Sequence, residues 1–183
     1  MKLNRVVTSI LAGAAVAGVA VAQDAPKKKA AASPAAEATA TIGGKAVSIK
    51  YSAPSVKGRK IFGADGILKN DPTYPVWRAG ANNATTLHTE GDLMIGGMHV
   101  SKGDYTLYVL PEDAGWKLIV NKQVGQWGTV YQVAQDLGRV SMKMAKPAAA
   151  VETLKYTLTG SGNKGTLTLE WDNFSASVDI TSM

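Results

Sequence analysis

Val151-Glu152-Thr153-Leu154-Lys155-Tyr156-Thr157-Leu158-Thr159, then Gly160-Ser161-Gly162-Asn163, then Lys164-Gly165-Thr166-Leu167-Thr168-Leu169-Glu170-Trp171, is the stretch that decides the fold. Leu154, Tyr156 and Leu158 share one face of an extended chain, as do Leu167, Leu169 and Trp171. Such alternation buries one face and wets the other, the pattern of an antiparallel sheet. The intervening glycines admit positive φ, so the two runs read as a hairpin. Phe174, Ala176, Val178 and Ile180 carry the same rhythm to the end of the chain.

Similar runs precede it. Residues 46–51 place Val47, Ile49 and Tyr51 on one face. Further runs cover 60–62, 84–89, 92–95, 99–100, 105–110, 116–121 and 138–144. Glu90-Gly91 reads as a hairpin turn joining 84–89 to 92–95. Residues 65–80 hold Asp71-Pro72, Tyr74-Pro75 and two glycines and read as a long ordered loop. Residues 132–137 admit one helical turn. Residues 148–154 have the composition of a helix start, but the Lys155-Tyr156-Thr157-Leu158 that follows argues for a strand. No long helical stripe and no internal repeat is present. Roughly nine or ten short strands imply an all-β fold, an antiparallel β-sandwich or a partly open barrel.

The 183-residue chain divides unevenly. Lys2 and Arg5 precede an apolar run over 10–22 that ends Ala20-Val21-Ala22. This is the layout of a signal peptide cleaved after residue 22, and the run is too short for an ordinary membrane span. Residues 23–44 are rich in Ala, Pro, Ser, Thr and Lys and read as a flexible tether. The single β domain is then expected over 45–183, in the periplasm, with no stable membrane insertion after cleavage. The formal charge of +6 falls to +3 for residues 45–183. That is an ordinary surface, and the scattered basic residues carry no nucleic-acid motif. The absence of cysteine excludes a disulfide framework, a thiolate metal site and a thiol nucleophile.

Chemistry concentrates at Trp77-Arg78-Ala79-Gly80-Ala81-Asn82-Asn83-Ala84-Thr85-Thr86. Arg78 carries a planar fork of donors suited to a carboxylate or phosphate. Asn82 and Asn83 both donate and accept. Trp77 offers a face to a ring or sugar. The competing reading pairs Arg78 with an internal carboxylate such as Asp136 or Asp65, buries Trp77 and leaves the asparagines capping turns. Arg59, and Trp127 within Gly125-Gln126-Trp127-Gly128, add a cation and a second indole. Structural packing is the simpler account of Trp127, and a local ion pair that of Asp136 and Arg139. His88 and His99, with Glu90, Asp92 or Asp104, fall short of a diagnostic metal set and read as ordinary sheet residues. No hydrolase elbow, phosphate loop, zinc-protease motif or dinucleotide fingerprint occurs. No cofactor or metal is expected.

Ordered motifs bring a family resemblance. Ile49-Lys50-Tyr51-Ser52-Ala53-Pro54-Ser55-Val56-Lys57-Gly58-Arg59, the Trp77 segment, Gly103-Asp104-Tyr105-Thr106-Leu107-Tyr108, Gly125-Gln126-Trp127-Gly128 and Asp136-Leu137-Gly138-Arg139 occur in sequence. With them the chain resembles the DUF2911 family, small exported bacterial proteins of unknown function. Family members usually carry Thr where this chain has Ala79, and Glu where it has Asn83. The resemblance implies the domain limits and export, and hands over no activity, substrate or catalytic residue.

The expected function is binding of a small polar or carbohydrate-like ligand, or a cell-envelope component. Arg59, Trp77, Arg78, Asn82, Asn83, Thr85 and Trp127 are the expected ligand-binding residues. A hydrolase of envelope material needs paired carboxylates or a Ser/His pair facing one cleft. A structural or protein-interaction module needs an open edge or apolar patch.

Overall fold

The computed structural model describes residues 32–183. The expected signal peptide, and residues 23–31 of the expected tether, lie outside the described residues. Twelve strands occur among the described residues, in two antiparallel sheets that face each other without closing into a barrel. One sheet contains β1 (Ala35–Ile42), β2 (Lys45–Ser52), β3 (Thr85–Thr89), β6 (Gly103–Leu110), β7 (Lys117–Asn121) and β8 (Asp136–Ser141), in the order β1-β2-β3-β6-β7-β8. The other contains β10 (Val151–Ser161), β11 (Lys164–Asp172), β12 (Phe174–Ser182), β4 (Leu93–Ile95) and β5 (Met98–Val100), in the order β10-β11-β12-β4-β5. β12 is shared along its length. Its last residues pair with β4, and Ser175–Ser177 pair with β9 (Lys143–Ala145). The architecture is an open β-sandwich.

The alternation read from the sequence builds the core. Val47, Ile49, Leu87, Leu107, Leu118 and Val120 of one sheet meet Leu154, Tyr156, Leu167, Leu169, Val178 and Ile180 of the other in one cluster. β6 departs from simple alternation, because Tyr108 and Leu110 are buried on its outer face as well. There they pack with Val76 and Ile119, and Tyr131 leans against them. The long β7–β8 connection, carrying a 3-10 turn at Val133–Gln135, supplies this outer cover. The one helical turn expected over 132–137 is this 3-10 turn.

Several expectations are corrected. Residues 35–42 are strand, not tether, so the folded unit starts ahead of residue 45. β1 pairs residue for residue with β2 through the Gly43-Gly44 turn, where both glycines have positive φ. The Ala-Thr composition of β1 serves close approach. A Cβ at Gly160 would lie 2.1 Å from the Thr41 carbonyl oxygen, and one at Gly165 would lie 2.5 Å from Ile42. Small residues on both sides let β1 lie against β10 and β11, and Ile42 becomes fully buried. Glu90-Gly91 is not a hairpin turn. β3 already has β2 on one side and β6 on the other, so no edge is left for β4. The turn carries the chain from one sheet to the other. Residues 60–62 are not a strand. Ile61 and Phe62 plug one end of the sandwich within the long connection between β2 and β3. The helix start considered at 148–154 gives way to β10.

Five aromatic rings gather at that end. Trp77 stacks on Trp171 with centroids 5.5 Å apart and planes 15° apart. Phe62 packs edgewise on Trp77 at 5.6 Å and lies 4.9 Å from Trp116, which stacks on Phe174 at 5.3 Å. The β6–β7 and β11–β12 hairpins end here, so strands from both sheets contribute rings. A 3-10 turn at Ile67–Asn70 lies over them, with Ile67 and Leu68 packed against the core.

Candidate functional site

The Trp77 segment is a tightly braced connection entering β3. Trp77 exchanges both main-chain hydrogen bonds with Val109, at 2.7 and 2.8 Å. Ala79 and Asn82 take positive φ without being glycine. That conformation is costly for an L-residue and persists only where the surroundings hold it. The Ala79 carbonyl is held by the Tyr156 hydroxyl at 2.9 Å and the Thr85 hydroxyl at 3.1 Å. Ala81 N–H donates to the Ser52 carbonyl. Burial pushes the Tyr156 hydroxyl far above its ordinary range, so it stays a neutral donor.

The two motifs that stand out in the sequence touch each other. Gly128 N–H donates to the Asn82 carbonyl, Ala84 N–H donates to the Gln126 carbonyl, and Asn83 bridges to Trp127. A Cβ at Gly128 would lie 2.6 Å from Arg78 Cδ and 2.8 Å from the Asn82 oxygen. Glycine at this position is therefore a packing requirement of the site. Beneath the loop, Gln126 donates to the Thr106 hydroxyl at 3.1 Å and the Tyr108 hydroxyl at 3.3 Å. Farther on, Asp136 accepts from Asn121 at 2.9 Å, Tyr131 at 2.7 Å and Arg139 at 2.9 Å. Burial first, then the bond to Asp136, pushes the Tyr131 hydroxyl up to about 12. The Asp136–Arg139 pair exists, but on β8 rather than on a helical turn.

The Trp77 segment and Trp127, with parts of residues 54–59 and 67–72, line a cleft of about 560 Å3. Arg59, Trp77, Arg78, Asn82 and Trp127 line it; Asn83 and Thr85 do not. Thr85 is fully buried and spends its hydroxyl on Ala79. Asn83 is exposed outside the lining and braces Trp127 through the main chain. Two roles must also be reassigned. Trp77 is 2% exposed, with its ring packed on Trp171 and Phe62, so it is floor rather than a free stacking platform. Arg78 is occupied: its Nη2 and Nε lie 2.7 and 3.2 Å from Asp71 Oδ2. The partner is neither Asp65 nor Asp136, which pair with Lys60 and Arg139. Burial works against the charged Asp71, yet its bonds from Arg78, Thr73 N–H and the Thr73 hydroxyl outweigh that and hold its carboxyl below the usual value.

What remains open toward the cleft is different in kind. The Arg59 guanidinium is tied back on one edge by the Val56 and Ser55 carbonyls and meets no carboxylate among the described residues. Lys57, which sequence reasoning passed over, lines the same cleft and also lacks a carboxylate partner among the described residues. Its φ of +48° and the bond from its N–H to Glu152 Oε1 show that the turn is fixed. Trp127 is half-exposed on the rim. The cleft thus combines two uncompensated cations, one compensated ion pair, an indole face and the Asn82 amide.

The other candidates separate. His88 Nδ1 lies 2.8 Å from Asp104 across β3 and β6, and His99 lies 3.5 Å from Asp92. Among the described residues no group of three or more His, Asp or Glu could hold a metal ion. Asp71 is the one carboxylate lining the cleft among the described residues, and no histidine lines it. Ser55 lines it, with its hydroxyl 2.9 Å from that of Thr153.

No curated protein and no solved structure matches the chain. The family model described as protein of unknown function (DUF2911) matches residues 33–180, so its match begins just ahead of β1 and runs into β12. The chain belongs to the DUF2911 family.

Proposed function

We propose that this is an exported, periplasmic protein that binds a small polar or carbohydrate-like ligand of the cell envelope, bearing an anionic group, in the cleft beside Trp127. The observation that carries the reading is the pair Lys57 and Arg59. Both line the cleft, and neither charged side chain forms a salt bridge among the described residues, the Glu152 carboxylate being bound to the Lys57 main-chain N–H. Arg59 is already oriented by the Ser55 and Val56 carbonyls, so little is lost when its free edge meets an oxyanion. Trp127 offers an apolar face with a polar tip, suited to a sugar ring. Arg78 and Asp71 then act as a wall of fixed shape. Hydrolysis is less well supported, because Asp71 is the one carboxylate in the lining among the described residues.

Calorimetric titration of the protein with glucose, glucuronate and glucose 6-phosphate tests this. The anionic sugars are expected to bind more tightly than glucose. Arg59→Ala is expected to weaken them about tenfold, and Trp127→Ala by a similar factor. Equal affinity for all three sugars, or indifference to both substitutions, would contradict the reading. Export has its own test: N-terminal sequencing of the protein from its native host should begin at Gln23, and an intact Met1 would contradict it.

A further inference from the structure

A second cleft opens on the other side of the Ile67–Asn70 turn, and Leu68 lines both. It holds about 760 Å3, within the range of small-molecule sites. Its floor is the outer side of the aromatic cluster: Phe62, Trp116 and Phe174, whose ring centroids lie 4.8 to 5.3 Å apart. Tyr74 and Met144, both exposed, stand on the rim.

The rings are unequally covered. Trp116 is buried, whereas Phe62 and Phe174 are only partly so. The end of the sandwich is therefore left with apolar ring surface in a concavity, where a planar apolar group would displace water from several rings at once. The charges on the wall are unequal too. Glu112 is taken by Lys117, at 2.8 Å. Lys69 and Lys146 line the cleft without a carboxylate partner among the described residues, against Asp113 alone. The remaining balance is positive, so an anion is favoured over a cation.

We infer that this cleft is a second binding site, for a small molecule with an apolar ring system and one anionic group. Its chemistry differs from that of the first cleft, where cations and one indole suit a polar ligand. The two sites share Leu68 and abut one aromatic cluster, but neither depends on the other being filled.

The test uses 1-anilinonaphthalene-8-sulfonate, which carries both features, and neutral N-phenyl-1-naphthylamine, which carries only the rings. Binding is followed by fluorescence and by the indole N–H signals of the four tryptophans. The expected result is saturable one-to-one binding of the sulfonate that shifts the Trp116 signal and leaves Trp127 in place. Met144→Asp, at an exposed position on β9, should weaken the sulfonate about tenfold. Lys69→Glu combined with Lys146→Glu should weaken the sulfonate about tenfold and spare the neutral probe. Arg59→Ala should leave both unchanged, which keeps this site distinct from the first. Absence of saturable binding, a shift at Trp127 instead of Trp116, or indifference to Met144→Asp would overturn the site. Equal loss of both probes in the double lysine variant would overturn its preference for an anion.

Discussion

At the residue scale, Arg59 and Arg78, both expected to meet a ligand, differ in what already holds them. Arg78 sits inside the most chemically dense segment of the chain, and that density drew attention to it. Its fork is nevertheless closed by Asp71, seven positions earlier, in a loop whose path alternation does not encode. Arg59 has no such partner among the described residues and, with Lys57, is left for a ligand. The ion pair has a signature in acid. Asp71 is held below 3.8 in the folded protein, so the unfolded chain takes up its proton first. The contribution of Asp71 is fully present above about pH 5 and is lost progressively as pH falls through 3.8 and then through the lower folded value. Asp71→Asn should be about 1–2 kcal/mol less stable than the parent at pH 7. In urea titrations that gap should close as pH falls below about 4. A gap that stays constant with pH would mean that Asp71 stabilises by shape alone.

At the scale of elements, β1 marks where composition misleads and geometry decides. Alternation identified β2, β10, β11 and β12 because each buries large side chains every second residue. β1 buries Ala38 and Ile42 and otherwise presents small or polar groups, so the same chain reads as low-complexity tether. The missing signal lies far away, in Gly160 and Gly165, whose bareness admits the β1 backbone. The turn at Glu90-Gly91 fails for a related reason. Local sequence specifies a turn but not that both edges of β3 are occupied. Lys57 was invisible because an exposed lysine in a loop has no marker of the cleft it faces. Relative to a chain beginning at Ala32, one beginning at Lys45 should lose β1, expose the edge of β2 and unfold at least about 10 °C lower by circular dichroism. Equal transition temperatures would show β1 to be dispensable.

At the scale of the whole molecule, two sheets hold each other by packed side chains with no disulfide to help. The aromatic cluster at one end serves both sheets and floors two clefts of unlike chemistry. The cleft beside Trp127 was partly legible in sequence, because Trp77, Arg78, Asn82 and Trp127 converge on it. The buried Trp77 and the internally paired Arg78 were legible as the competing reading; that the acid is Asp71 was not, since it depends on the path of residues 53–84. The most direct test of the account is an indole N–H titration of the protein with glucuronate. Trp127 should shift saturably, Trp77 and Trp171 should change little, Trp116 should stay in place, and Arg59→Ala should abolish the Trp127 shift. An unmoved Trp127 at millimolar glucuronate, glucose 6-phosphate and glucose would contradict it.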